Sequence, residues 1–200
     1  MSAELILGGQ KSGKSRRAEL LARDWLAGAP GREAVLIATG QALDDEMRTR
    51  ISRHRADRSA RVPDLRTVEE PLYLAESIAA HHDERTLVVV DCLTLWLTNW
   101  VMPAGDVDAG DLDEAWLSRI HSAAGAAIDA LEAAVRSAGA SGAPLVLVGN
   151  EIGLGVIPLG REVRRFVDAL GGLNQRMASA CARVTLMAAG LPLTLKDSSR

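Results

Sequence analysis

The sequence predicts an α/β fold, a single domain spanning residues 1–200 with a mostly parallel central sheet flanked by helices, and three observations carry that reading. Short aliphatic or β-branched runs alternate with longer helix-compatible segments along the whole chain. The first such run leads through a glycine-rich loop directly into a helical pattern. Two hundred residues, 48% hydrophobic and 24% charged, suffice for one folded unit with a real core. Taken in order, the strands fall at residues 5–7, 34–38, 87–90, 145–148 and 184–188, a spacing that leaves room for a crossover helix between parallel neighbours. Helices are predicted over residues 14–27, 44–57, 72–80, 93–101, 112–137 and 161–182. "SAGASGAP" at 137–144 should end the long alanine-rich helix, and "PAGDVDAGD" at 103–111 reads as a polar, turn-rich connection. "GLPLTLK" at 190–196 reads as a last strand entered by a Gly-Leu-Pro turn, with a frayed "DSSR" beyond it.

A net charge of −3 gives no general electrostatic reason to expect nucleic acid or an anionic membrane as partner, so any positive site is local. The longest apolar stretch, residues 87–102, is shorter than the ~20 residues a membrane helix needs and contains Asp91. No basic region leads into an apolar signal core, and the expectation is a cytoplasmic protein. Cys92 and Cys181 lack metal-ligand spacing and a disulfide framework, and read as reduced core thiols.

"GGQKSGKS" comprises Gly8, Gly9, Gln10, Lys11, Ser12, Gly13, Lys14 and Ser15, and fits G-x-x-x-x-G-K-S between a strand and a helix. Glycines let the backbone wrap a phosphate so that N–H groups and the helix N-terminus point at its oxygens. Lys14 suits the β and γ phosphates, and the Ser15 hydroxyl suits Mg²⁺. A second metal carboxylate belongs at the end of an apolar strand, where "LVVVD" places Asp91; an aspartate capping the following helix is the alternative. The strand "LVLV" is followed by "GNEIGLG" and not by N-K-x-D, which weighs against a guanine-specific switch.

The segment "LDDEMRTRISRHRADR" sets Arg50, His54 and Arg58 four residues apart on one helix face, with Arg53 and Arg55 beside the histidine. Four like charges disfavour the imidazolium while attracting a polyphosphate, and a neutral imidazole beside phosphate is a competent nucleophile. The other reading is a solvated basic face whose arginines pair with Asp44, Asp45, Glu46 and Asp57.

Together with "IATGQALDDEMRTRISRHRADR", "RTVEEP", "VVVDCLTLWLTN", "NEIGLGVIP", "RRFVDALGGLNQRMASA" and "AAGLPLTLK", the loop spreads a resemblance over essentially the whole chain. The chain resembles the bifunctional adenosylcobinamide kinase and adenosylcobinamide-phosphate guanylyltransferase family of cobalamin biosynthesis. The resemblance implies a RecA-like P-loop domain with Mg²⁺, ATP or GTP as phosphoryl donor, and GTP as guanylyl donor. It implies phosphorylation of adenosylcobinamide, then guanylylation of an enzyme histidine that passes GMP to the new phosphate. It makes His54 that nucleophile and Lys14 its catalytic partner, and Gly8 to Ser15 the nucleotide loop. It further implies nucleotide contacts at Ala38, Thr39 and Gly40, at Arg55, Ala56, Asp57 and Arg58, and at Glu69 and Asp91, with Ser15 and Asp91 on the metal. A homo-oligomer, a trimer, is also implied. Leu65, Gly149 and Val167 depart from residues frequent in the family.

A kinase without the guanylyl step and a regulatory nucleotide-binding module are the alternatives from the residues themselves. Asn150 and Glu151 follow a predicted strand at the edge where ligands bind in open α/β sheets, or serve as turn and cap residues. Asn174 and Gln175 suit packing or subunit contacts, Trp96 and Trp100 the core or an interface, and His81, His82 and His121 surface or helix-end positions.

Overall fold

The computed structural model describes residues 3–102 and 114–198. Its elements run β1 Glu4–Gly8, α1 Lys14–Ala27, β2 Glu33–Ala38, α2 Asp45–Arg61, β3 Arg66–Glu69, α3 Leu74–His81, β4 Thr86–Asp91, α4 Leu93–Val101, α5 Glu114–Ser141, β5 Leu145–Val148, α6 Arg161–Ala180, β6 Arg183–Ala188 and β7 Leu191–Asp197. The seven strands form one sheet in the order β3-β2-β4-β5-β1-β6-β7, every pairing parallel except β6 with β7. The predicted α/β class is the observed one.

Strand alternation divides the core in two. Leu5, Leu7, Val88 and Val90 point toward α3 to α6 and pack with Trp96, Leu131 and Leu173, whereas Ile6, Leu36, Val89 and Val146 point to the face where Ala18 and Ala22 of α1 lie. Burial on both faces explains why these strands read as unbroken apolar runs. Trp96 is a core residue, its indole N–H donating to the Leu72 carbonyl at 2.8 Å. Burial pushes the Cys92 thiol up to about 11 and the Cys181 thiol up to about 12, so both stay protonated, as core thiols should.

Several boundaries differ from the sequence reading for physical reasons. β3 has no counterpart in it: "RTVE" is an edge strand, mostly exposed, with no apolar pattern to betray it. α2 starts one residue late because Asp44 is its N-cap, accepting from the Met47 N–H at 2.6 Å. It runs on to Arg61, and Val62 leaves the helical conformation ahead of Pro63. α3 begins at Leu74 because the Glu70 carboxylate binds the N–H groups of Leu72 and Tyr73. α5 continues through "SAGAS" to Ser141 because Ala138 is fully buried in the core, and that burial outweighs the helix cost of Gly139. α6 stops at Ala180, since the Ala182 N–H pairs with the Ala3 carbonyl at 3.0 Å. The final hairpin turns at Ala189 and Gly190, with φ of 51° and 81°, while Leu191 and Pro192 already lie in β7. Asp197 is in β7 and pairs with Arg183 at 2.9 Å, so that part of the expected tail is ordered. The connection at 103–111 and the last two residues lie outside the described residues.

Candidate active site

The loop between β1 and α1 has the geometry its glycines predict. Gly8 has φ 153°, and a Cβ there would stand 2.5 Å from the Met187 carbonyl oxygen. Only glycine fits that approach. Gly13, at φ 98°, caps α1, so Lys14 and Ser15 form its first turn, where free N–H groups favour an anion. Gly190 N–H donates to the Ser12 carbonyl at 3.1 Å and ties the loop to the β6–β7 hairpin. The Lys14 ammonium folds back on the Gly9 carbonyl at 2.6 Å and the Ser12 hydroxyl at 3.4 Å. Burial lowers the Lys14 pKa from the ordinary lysine value; Cys92 and Asp91 oppose that shift and Arg50 adds to it.

Asp91 ends β4, two strands across from β1. Burial raises its carboxyl pKa, while the hydrogen bond from Ser15 and the charges of His54, Arg58 and Lys14 act against burial and favour the carboxylate. From α2, the charges of His54 and Arg58 are felt at Asp91 and that of Arg50 at Lys14, although His54 and Arg50 are themselves exposed and only Arg58 is buried. An aligned hydroxyl and carboxylate are oxygen donors of the kind a hard divalent cation takes, with room in its shell for phosphate and water.

The rest of α2 divides sharply. Arg58 is 8% exposed, and burial lowers its pKa while Glu19 and Asp91 raise it. Arg61 pairs with the buried Glu19 of α1, which locks the end of α2 against that helix. Arg48 pairs with Asp45 at 2.6 Å and Arg61 with Asp57 at 3.6 Å, so these acids pair with arginines other than the four around His54. Ala56 and Asp57 are exposed. Arg55 pairs with Glu69 at the end of β3, at the sheet edge and four strands from β1.

Thr39 follows β2 and is fully buried. Its hydroxyl donates to the Cys92 carbonyl at 2.7 Å and accepts from the Cys92 N–H at 2.9 Å, and its own N–H reaches the Asp91 carbonyl at 3.2 Å. The Thr39 side chain thus braces the backbone that presents Asp91. Asn99 of α4 completes the brace by donating to the carbonyls of Thr39 and Pro71. Ala38 pairs with Asp91 in register, and Gly40 packs near Leu95 and Ile51. Glu19, Arg61 and Asn99 escaped the sequence reading because their partners lie far away in the chain. Only the fold brings such pairs together.

Beyond β5, the Asn150 N–H donates to the Thr94 hydroxyl at 2.8 Å and the Glu151 N–H to the Gly8 carbonyl at 3.1 Å. Asn174 of α6, 3% exposed, donates to the Asn150 carbonyl at 3.0 Å and to Glu151 at 3.3 Å. His82 meets the Ser141 hydroxyl at the surface and His81 approaches Arg66, both remote from the loop.

Residues 4–195 match the family model described as cobinamide kinase / cobinamide phosphate guanyltransferase. The bifunctional adenosylcobalamin biosynthesis protein CobP of Pseudomonas aeruginosa is 42% identical over 193 residues, which cover 96% of each chain. The proteins named CobU from Escherichia coli and Salmonella typhimurium are 37% and 35% identical, over 96% of this chain and 98% of theirs. Among solved structures, the flagellar accessory protein FlaH of Methanocaldococcus jannaschii superposes with a TM-score of 0.53 at 13% identity. The match covers 99% of this chain and 79% of FlaH, and is a likeness of fold alone.

Proposed function

The chain belongs to the cobinamide kinase / cobinamide phosphate guanyltransferase family, and from that premise we propose how its residues divide the two reactions. It is a bifunctional enzyme of cobalamin biosynthesis that uses nucleoside triphosphates. In the first reaction a triphosphate, ATP or GTP, phosphorylates the hydroxyl of adenosylcobinamide. In the second, GTP guanylylates His54, and the histidine hands GMP to the new phosphate to give adenosylcobinamide-GDP.

The observation that carries this reading is that α2 turns positive charge toward the loop: His54 and Arg58 act on Asp91, and Arg50 acts on Lys14. Gly8, Gly9, Gln10, Lys11, Ser12 and Gly13 would wrap the phosphates with backbone N–H groups, and Lys14 would leave the Gly9 carbonyl for the β and γ oxygens. Ser15 and Asp91 would hold Mg²⁺, which neutralises charge on the phosphate oxygens. An imidazole nitrogen of His54 attacks the α-phosphorus, pyrophosphate leaves, and Arg58 and Arg50 stabilise the charge that develops. The bond formed is a phosphoramidate, so the transfer potential of GTP is kept for the acceptor. Thr39, with Ala38 and Gly40, holds the Asp91 turn. Glu69 and Arg55 fasten the middle of α2 to the sheet edge, with Ala56 and Asp57 on the outer side.

We further propose a single domain that works in the cytoplasm as a homo-oligomer, a trimer. Among the described residues, no helix is long and apolar enough to cross a membrane.

The test uses GTP labelled at the α or the γ phosphate, with Mg²⁺ and no corrinoid. Acid-labile, base-stable label should appear on the protein from α-labelled GTP alone and vanish in His54→Ala. Protein that binds GTP but takes up no label would remove the guanylyl-histidine step.

A further inference from the structure

Two nucleophiles serve the two reactions, and they differ in one proton. Neutral imidazole attacks phosphorus through a free lone pair. The cobinamide hydroxyl must shed a proton as its oxygen bonds to the γ-phosphorus, which calls for a base near the phosphate loop.

Among the described residues, four carboxylates stand at or just beyond the carboxyl ends of the parallel strands β3, β4 and β5: Glu69, Glu70, Asp91 and Glu151. Three are committed elsewhere. Glu69 pairs with Arg55 at the sheet edge, Glu70 caps the turn into α3, and Asp91 faces the Ser15 hydroxyl. Glu151 follows β5, the strand that pairs with β1 on the Asp91 side.

Its backbone is held firmly. The Glu151 N–H bonds the Gly8 carbonyl at 3.1 Å, and the Lys14 ammonium rests on the carbonyl of the very next residue, Gly9, at 2.6 Å. The chain leading to it is pinned by Gly149 N–H to the Ile6 carbonyl at 3.0 Å and by Asn150 N–H to the Thr94 hydroxyl. Its carboxylate accepts the Gly153 N–H at 3.0 Å on Oε1 and the Asn174 amide at 3.3 Å on Oε2, and forms no ion pair among the described residues. A carboxylate offers about four lone-pair sites, so two such bonds fix its direction and leave capacity for a proton.

We propose that Glu151 is the general base of the kinase reaction, with Asn174 and the Gly153 N–H aiming its carboxylate. The proposal rests on the two-reaction reading above. As the acceptor oxygen forms its bond to the γ-phosphorus, its proton passes to Glu151. The bond from that phosphorus to the β-γ bridging oxygen breaks, and the electron pair leaves on the nucleoside diphosphate. Guanylylation of His54 has no alcohol proton to remove and needs no help from Glu151.

The experiment compares full-length wild type with Glu151→Gln in two assays. One follows phosphorylation of adenosylcobinamide by γ-labelled GTP, and the other protein label from α-labelled GTP without corrinoid. Glu151→Gln should lower phosphoryl transfer by about 100-fold or more while protein labelling stays within about twofold of wild type. Phosphoryl transfer within about threefold of wild type would overturn the assignment. If both activities fall together, Glu151→Ala with added formate decides: phosphoryl transfer restored by the small carboxylate supports the base, and no restoration overturns it. A wild-type enzyme that labels itself yet never phosphorylates adenosylcobinamide would remove the two-reaction premise, and the base with it.

Discussion

At Thr39, which is fully buried beside Asp91, a single hydroxyl bonds both the N–H and the C=O of Cys92. Thr39→Val keeps the shape and removes both bonds. The Cys92 carbonyl keeps the Trp96 N–H at 3.1 Å, but the Cys92 N–H is left without a partner, at a cost of about 1–3 kcal/mol. Urea unfolding should show this loss, whereas Thr39→Ser, which keeps the hydroxyl, should recover most of it. The distinction matters because a threonine flanking a phosphate site is easily read as a ligand contact. Its hydroxyl here is already engaged on both sides.

The element on which the proposed guanylyl transfer depends is α2, which carries His54, Arg50 and Arg58. Asp44 holds its first turn, and Asp44→Ala should destabilise the helix by about 1 kcal/mol, measurable as faster amide hydrogen exchange in residues 45–49. The bounds of α1 and α4 were legible in the sequence because the loop glycine and the end of the β4 strand mark their starts and their apolar patterns are unbroken. β3 was not, because an exposed edge strand carries no apolar alternation. The end of α5 misled because local glycine and serine signals lost to the burial of Ala138. In the candidate site, the strand-loop-helix turn at residues 8–15 could be read from spacing alone, and the place of Asp91 from the end of an apolar run. The buried Glu19–Arg61 pair and the Thr39–Cys92 brace could not, since each joins residues more than forty positions apart.

On the scale of the whole molecule, the sheet order puts β5 between the strand of the phosphate loop and the strand of Asp91, and so brings Glu151 beside Gly8. On its other side β1 pairs with β6, whose hairpin reaches back to the loop through the Gly190 N–H and the Ser12 carbonyl. Gly190→Pro would remove that N–H and forbid its φ of 81°. GTP affinity should fall roughly tenfold in an equilibrium titration, matching the loss of about 1.4 kcal/mol, and an unchanged affinity would show that the tether does not shape the loop. That tether also orders events on the ribosome. Both flanks of the β1 strand and the turn that grips the loop are synthesised more than 130 residues after β1 itself. A nascent chain halted before β6 leaves β1 with one side open and the loop without its tether.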